Sequence, residues 1–249
     1  MKYFRITLAL LILPFAAACN AAQDTGANKI QWYAGYTMPQ FLADPVEINT
    51  QADIAGLLDQ AWYAPFRVHA TGSNQAITLK TCSDYFNAPQ HPLWTVKESE
   101  NAAFMQIVVM CEATRAIANA APANMNSNSL PVFDHTLPAK LPKQMAMIIS
   151  STESTRILAD KAIAHMSQVD TPVKFSGQSA HEMTYVYKSG EQQLQLVASG
   201  DFNHDGIEDY LISSQDSVKG GSYTALRLFL VTRLQGQADY TLLKQFAGN

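Results

Sequence analysis

An α+β fold is predicted, with a mainly helical N-terminal portion (30–175) packed on a C-terminal antiparallel β-meander (176–249). Three observations predict it. From about residue 30 to 170 the apolar residues recur mostly at helical spacing. From about 180 onward the period changes to two, and tight-turn dipeptides such as Ser189-Gly190 and Gly220-Gly221 punctuate that region. The chain has 249 residues, 47% of them hydrophobic and 15% charged, enough apolar material at this length to bury a core and offset the entropy of ordering. With 17 basic against 21 acidic residues and no Lys/Arg cluster, nucleic acid is excluded as a partner class.

The first segment reads as a targeting signal over 1–18, followed by a tether over 19–29. Lys2 and Arg5 make a short positive region, and a largely apolar run from Ile6 to Phe15 leads into Ala16, Ala17, Ala18 and Cys19. Ten residues are too few to cross a ~30 Å bilayer core, so a signal peptide is expected rather than a transmembrane anchor. Small residues directly before a cysteine resemble the bacterial lipobox, although Ala16 stands where that motif prefers Leu. The resemblance implies that Cys19 becomes a lipidated N-terminus, and Asn20 after it is similar to lipoproteins sent on to the outer membrane. An ordinary cut at Ala-x-Ala is the alternative, giving a soluble periplasmic or secreted protein. Cysteine parity favours lipid: with Cys19 modified, Cys82 and Cys111 remain as an even pair. Loss of 1–18 leaves 15 basic against 21 acidic residues, a net charge of −6.

Thr50 with Asp53 makes a capping-box start, and Ile54, Leu57, Leu58, Ala61 and Trp62 follow at helical spacing until Pro65 stops them. Alternation around Gly72-Ser73-Asn74 predicts a small hairpin over 67–80. A second helix is expected from about Ser99 to Ala121, with Phe104, Ile107, Val108, Cys111 and Ala118 on one face. Four prolines over 122–143 predict a loop or extended connector. A third helix is expected over about 152–167 with Leu158, Ala162 and Met166 inward. Cys82 and Cys111 are expected to form a structural disulfide, because no Cys-x-x-Cys exists and no His lies at ligand spacing from either.

Five strands are predicted at 183–188, 192–199, 209–214, 223–234 and 240–246. In the fourth, Leu226, Leu228, Leu230 and Thr232 point one way while Arg227, Phe229, Val231 and Arg233 point the other. An antiparallel meander with one face packed against the helices follows.

Between the second and third of these strands stands Gly200-Asp201-Phe202-Asn203-His204-Asp205-Gly206-Ile207-Glu208-Asp209. Oxygen side chains recur at positions 1, 3, 5 and 9 of the run that begins at Asp201, a glycine sits at 6, and Ile207 offers a carbonyl at 7. Calcium takes six to eight oxygens at about 2.4 Å, and alternate side chains of a tight loop converge on one point while the glycine permits the turn. Position 12 is Ile212 rather than Glu and the flanks are strands, so this is no EF-hand. An ion-free Asn/Asp/Gly turn is the alternative, but Asp201, Asp205, Glu208 and Asp209 within nine positions repel one another without a cation. The stretch closely resembles the calcium loop of FG-GAP and VCBS-type repeats. That resemblance covers about twenty residues and a single copy, and it implies ligands at Asp201, Asn203, Asp205, the carbonyl of Ile207 and Asp209. His204 and Glu208, between ligand positions, are expected to face solvent.

No catalytic residue is expected. Gly-x-Ser-x-Gly, His-Glu-x-x-His, Walker, Gly-x-Gly-x-x-Gly and Ser-x-x-Lys patterns are all missing from the sequence. Lys188-Ser189-Gly190 reads as a turn, and His181-Glu182 and Asp134-His135 as chance pairs. The aromatic clusters Trp32, Tyr33, Tyr36 and Trp62, Tyr63, Phe66 read as core. The expected function is a non-enzymatic, calcium-stabilised, periplasm-facing lipoprotein that binds a protein partner in the envelope, by analogy of plan an inhibitor or immunity partner of a cell-wall hydrolase. An envelope-polymer hydrolase and a structural envelope component are the competing expectations.

Overall fold

The computed structural model describes residues 29–73, 75–124 and 130–246; Cys19 and the proposed signal lie outside them. Strand β1 (Gln31–Trp32) is followed by helix α1 (Gln51–Gly56), the hairpin β2 (Phe66–Ala70) and β3 (Ile77–Leu79), α2 (Cys82–Phe86), β4 (Leu93–Thr95) and the long α3 (Asn101–Asn119). Next come α4 (Ser151–Ala159) and α5 (Met166–Val169). The chain ends in β5 (Lys174–Ser179), β6 (Glu182–Val186), β7 (Gly190–Gly200), β8 (Asp209–Val218), β9 (Thr224–Thr232) and β10 (Thr241–Gln245). Strands β5 to β10 form an antiparallel meander in chain order, and β1 joins it by pairing with β7 at Ser199 and Ala198. A separate three-stranded sheet has the order β3-β2-β4.

Local chemistry sets the helix ends. Thr50 accepts the Asp53 N–H while Asp53 accepts the Thr50 N–H, so the predicted capping box forms at α1. Thr81 and Asp84 repeat it at α2. The Gln51 amide reaches across to donate to the carbonyls of Ile117 and Ala120, satisfying end groups of α3 that the helix itself cannot. The Cys82–Cys111 disulfide ties α2 to α3. It closes a loop of 29 residues, worth about 3 to 4 kcal/mol in the chain-entropy model.

The meander is packed on both faces, not one. On the first face α3 sets Phe104, Ile107, Val108 and Cys111 against Leu211, Leu228 and Leu230. On the second, Leu137, Leu141, Met145 and Met166 cover Tyr185, Leu194, Tyr210, Ile212, Phe229 and Val231. The 122–143 connector supplies much of that second layer. Pro138 starts a 3-10 turn at Leu137–Ala139, and a second turn at Lys143–Met145 follows, so the prolines position apolar residues on the sheet rather than merely spacing it from the helices.

The third predicted helix is also corrected. It breaks after Ala159, and α5 is a separate turn. Asp160 accepts the Ala162 N–H and Gln168 accepts those of Ala164 and His165, local bonds that compete with helical ones. Lys143 seals the break by donating to the carbonyls of Leu158 and Asp160. Ile157 and Met166 are buried as a result, while Leu158 is 47% exposed and Ala162 faces solvent. In α3 the predicted face stands, with Ile117 buried where Ala118 was expected and Ala118 half-buried.

Candidate metal centre

The 201–208 loop is the connection between β7 and β8, two long paired strands whose ends, Gly200 and Asp209, lie opposite each other. Two residues turn it. His204 has φ 63° and Gly206 φ 86°, both in the left-handed region, which glycine enters freely and a short polar residue at modest cost. Inside the loop, Asp201 accepts the N–H groups of Asp205 (3.1 Å) and Gly206 (2.8 Å), Asn203 accepts that of Asp205 (3.1 Å), and Asp205 accepts that of Ile207 (2.8 Å). The Asn203 amide donates to Asp205 (2.8 Å). Four of the five predicted ligand residues are thus linked to one another in a single turn.

The fifth, Asp209, closes the loop from the strand side: its Oδ2 accepts the Phe202 N–H at 3.1 Å. Its Oδ1 is buried without a hydrogen-bond partner. Burial pushes the Asp209 carboxyl up to about 6; the charges of Asp205 and Asp201 add to that rise, and the Phe202 N–H opposes it. The Thr232 hydroxyl, across the ladder, also favours the charged form but makes no hydrogen bond of good geometry. An oxygen that accepts one N–H keeps a second lone pair, so the bonds inside the loop do not exhaust its donor capacity. Hard oxygens from Asp201, Asn203, Asp205 and Asp209, with one of them orphaned and buried, fit calcium better than any softer metal. Among the described residues, the side chains are not drawn into a group of three or more His, Cys, Asp or Glu that could hold a metal.

A neighbouring segment braces the loop. Ala121 and Asp201 exchange backbone hydrogen bonds of 2.8 and 2.9 Å, and the Asn124 N–H donates to the Gly206 carbonyl at 2.9 Å. The loop therefore packs on the chain that leaves α3, a contact with no sequence signal. His204 is exposed as expected. Glu208 is not: it is 8% exposed and accepts the Tyr210 hydroxyl at 3.3 Å, because the first residues of β8 alternate between two packed faces rather than one packed and one wet.

Sequence reasoning missed a buried polar cluster that spans β7, β8 and β9. Asp216 on β8 pairs with Arg227 on β9 at 2.6 Å and accepts from Ser214 and Gln192. Arg227 also donates to the carbonyls of Gln144 and Ala146, and Gln192 to that of Met145. The cluster thereby holds the irregular 144–146 backbone on the second face. The available signal was Arg227 on the same side of its strand as Phe229 and Val231, a charge among core residues. The chance pairs have structural partners: Glu182 accepts from Gln193 and Gln195, Asp134 from Thr136, His181 packs at a tilt against Tyr33, and His135 stacks on Phe175. Tyr36, Trp62 and Phe66 are core, while Tyr63 is exposed.

Comparison of the chain with protein-family models, with curated proteins and with solved structures finds no match.

Proposed function

We propose that the chain is a calcium-stabilised bacterial lipoprotein, anchored through Cys19 in the outer membrane and facing the periplasm, where it binds a protein partner without catalysis. The observation that carries the calcium is the buried, unpartnered Oδ1 of Asp209 among the oxygens of a loop of FG-GAP/VCBS type. Export is supported by the Lys2 to Cys19 pattern and by the Cys82–Cys111 bond, since disulfides persist in oxidising compartments. No helix among the described residues is long and apolar enough to cross a membrane. The partner class that fits this plan is a cell-wall hydrolase which the chain inhibits or neutralises.

The test is capture from periplasmic extract by the immobilised full chain, in calcium and again in EDTA. A captured cell-wall hydrolase whose activity the chain suppresses, and which is lost in EDTA, supports the reading. Degradation of peptidoglycan or of a generic ester by the purified chain itself contradicts it. Separately, Cys19→Ser is expected to move the protein out of the membrane fraction and to abolish labelling by a palmitate analogue; membrane association that stays unchanged contradicts the anchor.

A further inference from the structure

A cleft of about 220 Å³ opens on the α3 face of the sheet, in the first half of β7, whereas the calcium loop leaves that strand's far end. Its floor is a block of cross-strand neighbours: Gln193 opposite Gln215, Gln195 opposite Ser213, and Leu226 opposite Gln215 on the next strand. One wall is α3, where Gln106 and Met110 sit one turn apart on the same side. The other wall is the segment from Gly35 to Phe41. Gly35 presses that wall onto β7, since a Cβ there would stand 2.5 Å from the Leu196 carbonyl oxygen.

Two features of the lining select a ligand class. None of the residues lining the cleft is charged, so a phosphate or a carboxylate would find no cationic partner to repay its desolvation. Each side-chain amide instead offers a donor and an acceptor together. Glu182, just outside the cleft on β6, accepts one N–H from Gln193 and another from Gln195. It fixes both amides in place while leaving each a carbonyl oxygen and a second N–H. Against this polar floor stand Phe41, Met110 and Leu226, an apolar border continuous with the core. An adaptable donor–acceptor surface beside an apolar border matches a sugar ring, which carries hydroxyl groups at its rim and C–H groups on its faces. A peptide is disfavoured because β7 and β8 are interior strands paired on both sides, so the floor has no open backbone ladder for another chain to join.

We infer that this cleft binds a single residue of a neutral saccharide, read by the amides of Gln193, Gln195, Gln215 and Gln106. The site is independent of calcium and of the protein partner. Its volume lies below the roughly 300–1,000 Å³ of sites for larger ligands, which limits it to one ring.

The test is titration of the full-length chain, ¹⁵N-labelled and in detergent, with three uncharged probes: N-acetylchitotriose, maltotriose and tri-alanine blocked at both ends. At least one saccharide is expected to shift the side-chain amide signals of Gln193, Gln195 and Gln215 saturably. Gln215→Ala, at an exposed position, is expected to weaken binding about threefold to tenfold, the loss of one or two hydrogen bonds, with an unchanged melting temperature. Glu182→Gln is expected to weaken it too, since it frees the two amides that it now orients. Saccharide shifts that never saturate, equal affinity in parent and Gln215→Ala, or saturation by the blocked peptide in place of the sugars would each overturn the assignment.

Discussion

Asp209 and Asp216 stand at opposite ends of β8, 0% and 1% exposed, and they are completed in different ways. Asp216 has a guanidinium at 2.6 Å and two further donors, Ser214 and Gln192. Asp209 has one backbone N–H, one oxygen without a partner, and two other carboxylates for neighbours. A buried charge persists only if it is paired and hydrogen-bonded. One end of the strand therefore carries its cation in the sequence, as Arg227, while the other has none among its described partners and, in the proposed reading, takes one from solution. The same residue type at the same depth is paired in one place and left with an orphaned oxygen in the other, and the difference lies in what faces it.

The largest effect that separates the two comes from removing each charge. Asp216→Asn leaves the Arg227 guanidinium buried and unpaired, and a loss of about 3 to 5 kcal/mol is expected in urea unfolding. Asp209→Asn, measured in EDTA, is expected to cost nothing or to stabilise, because it removes a charge that no cation balances there. Equal losses in the two variants would break the distinction. Replacing Asp216 and Arg227 together by Leu and Met is expected to restore most of the stability lost by Asp216→Asn, although the carbonyls of 144–146 would lose their donors.

Next in size is the staple on the α3 face. Cys82→Ser with Cys111→Ser is expected to cost about 3 to 4 kcal/mol and to leave the calcium response in place, since the bond joins α2 to α3 and the loop hangs from β7 and β8. Loss of that response with the staple would mean that the two regions melt as one unit in which the ion site has no separate identity.

The smallest effect is expected at His204. Its φ of 63° strains any residue with a Cβ, so His204→Gly is expected to raise stability by up to about 1 kcal/mol. The calcium response should survive, because the side chain points to solvent and holds no ligand position. A lost response would shift the register of the ligand set by one residue.

These contrasts track what the sequence could and could not reveal. The 201–209 turn is legible in the sequence because its chemistry is local: the five proposed ligand positions and a glycine fall within nine residues, and four of them are linked to one another by hydrogen bonds. The capping boxes of α1 and α2 and five of the six strands of the meander, β6 to β10, are equally accessible to spacing. The Asp216–Arg227 pair was not, since its members lie on different strands and its other partners are carbonyls of 144–146, far away in the chain. Strand β5 escaped because Lys174–Ser179 shows no apolar alternation, being an exposed edge. The second layer has no periodic signal because a proline-rich segment predicts a connector, whereas Pro138 helps to form a turn in which Leu137 and, just after it, Leu141 are buried. Glu208 went wrong for the same reason: a sheet packed on both faces has no wet side at that end.

The most direct measurement is thermal unfolding of the full-length chain and its Asp209→Asn variant, each in EDTA, calcium and magnesium. A ligand that binds only the folded state stabilises it by RT ln(1 + [L]/Kd), about 2.7 kcal/mol at one hundred times Kd. For a chain of this size that is a rise of roughly 2 to 4 °C. Calcium is expected to produce that rise in the parent and magnesium little of it, because a small octahedral shell suits the loop poorly; Asp209→Asn should respond to neither. A parent melt indifferent to EDTA, with no bound calcium by elemental analysis, would contradict the account and make the 201–209 loop an ordinary turn.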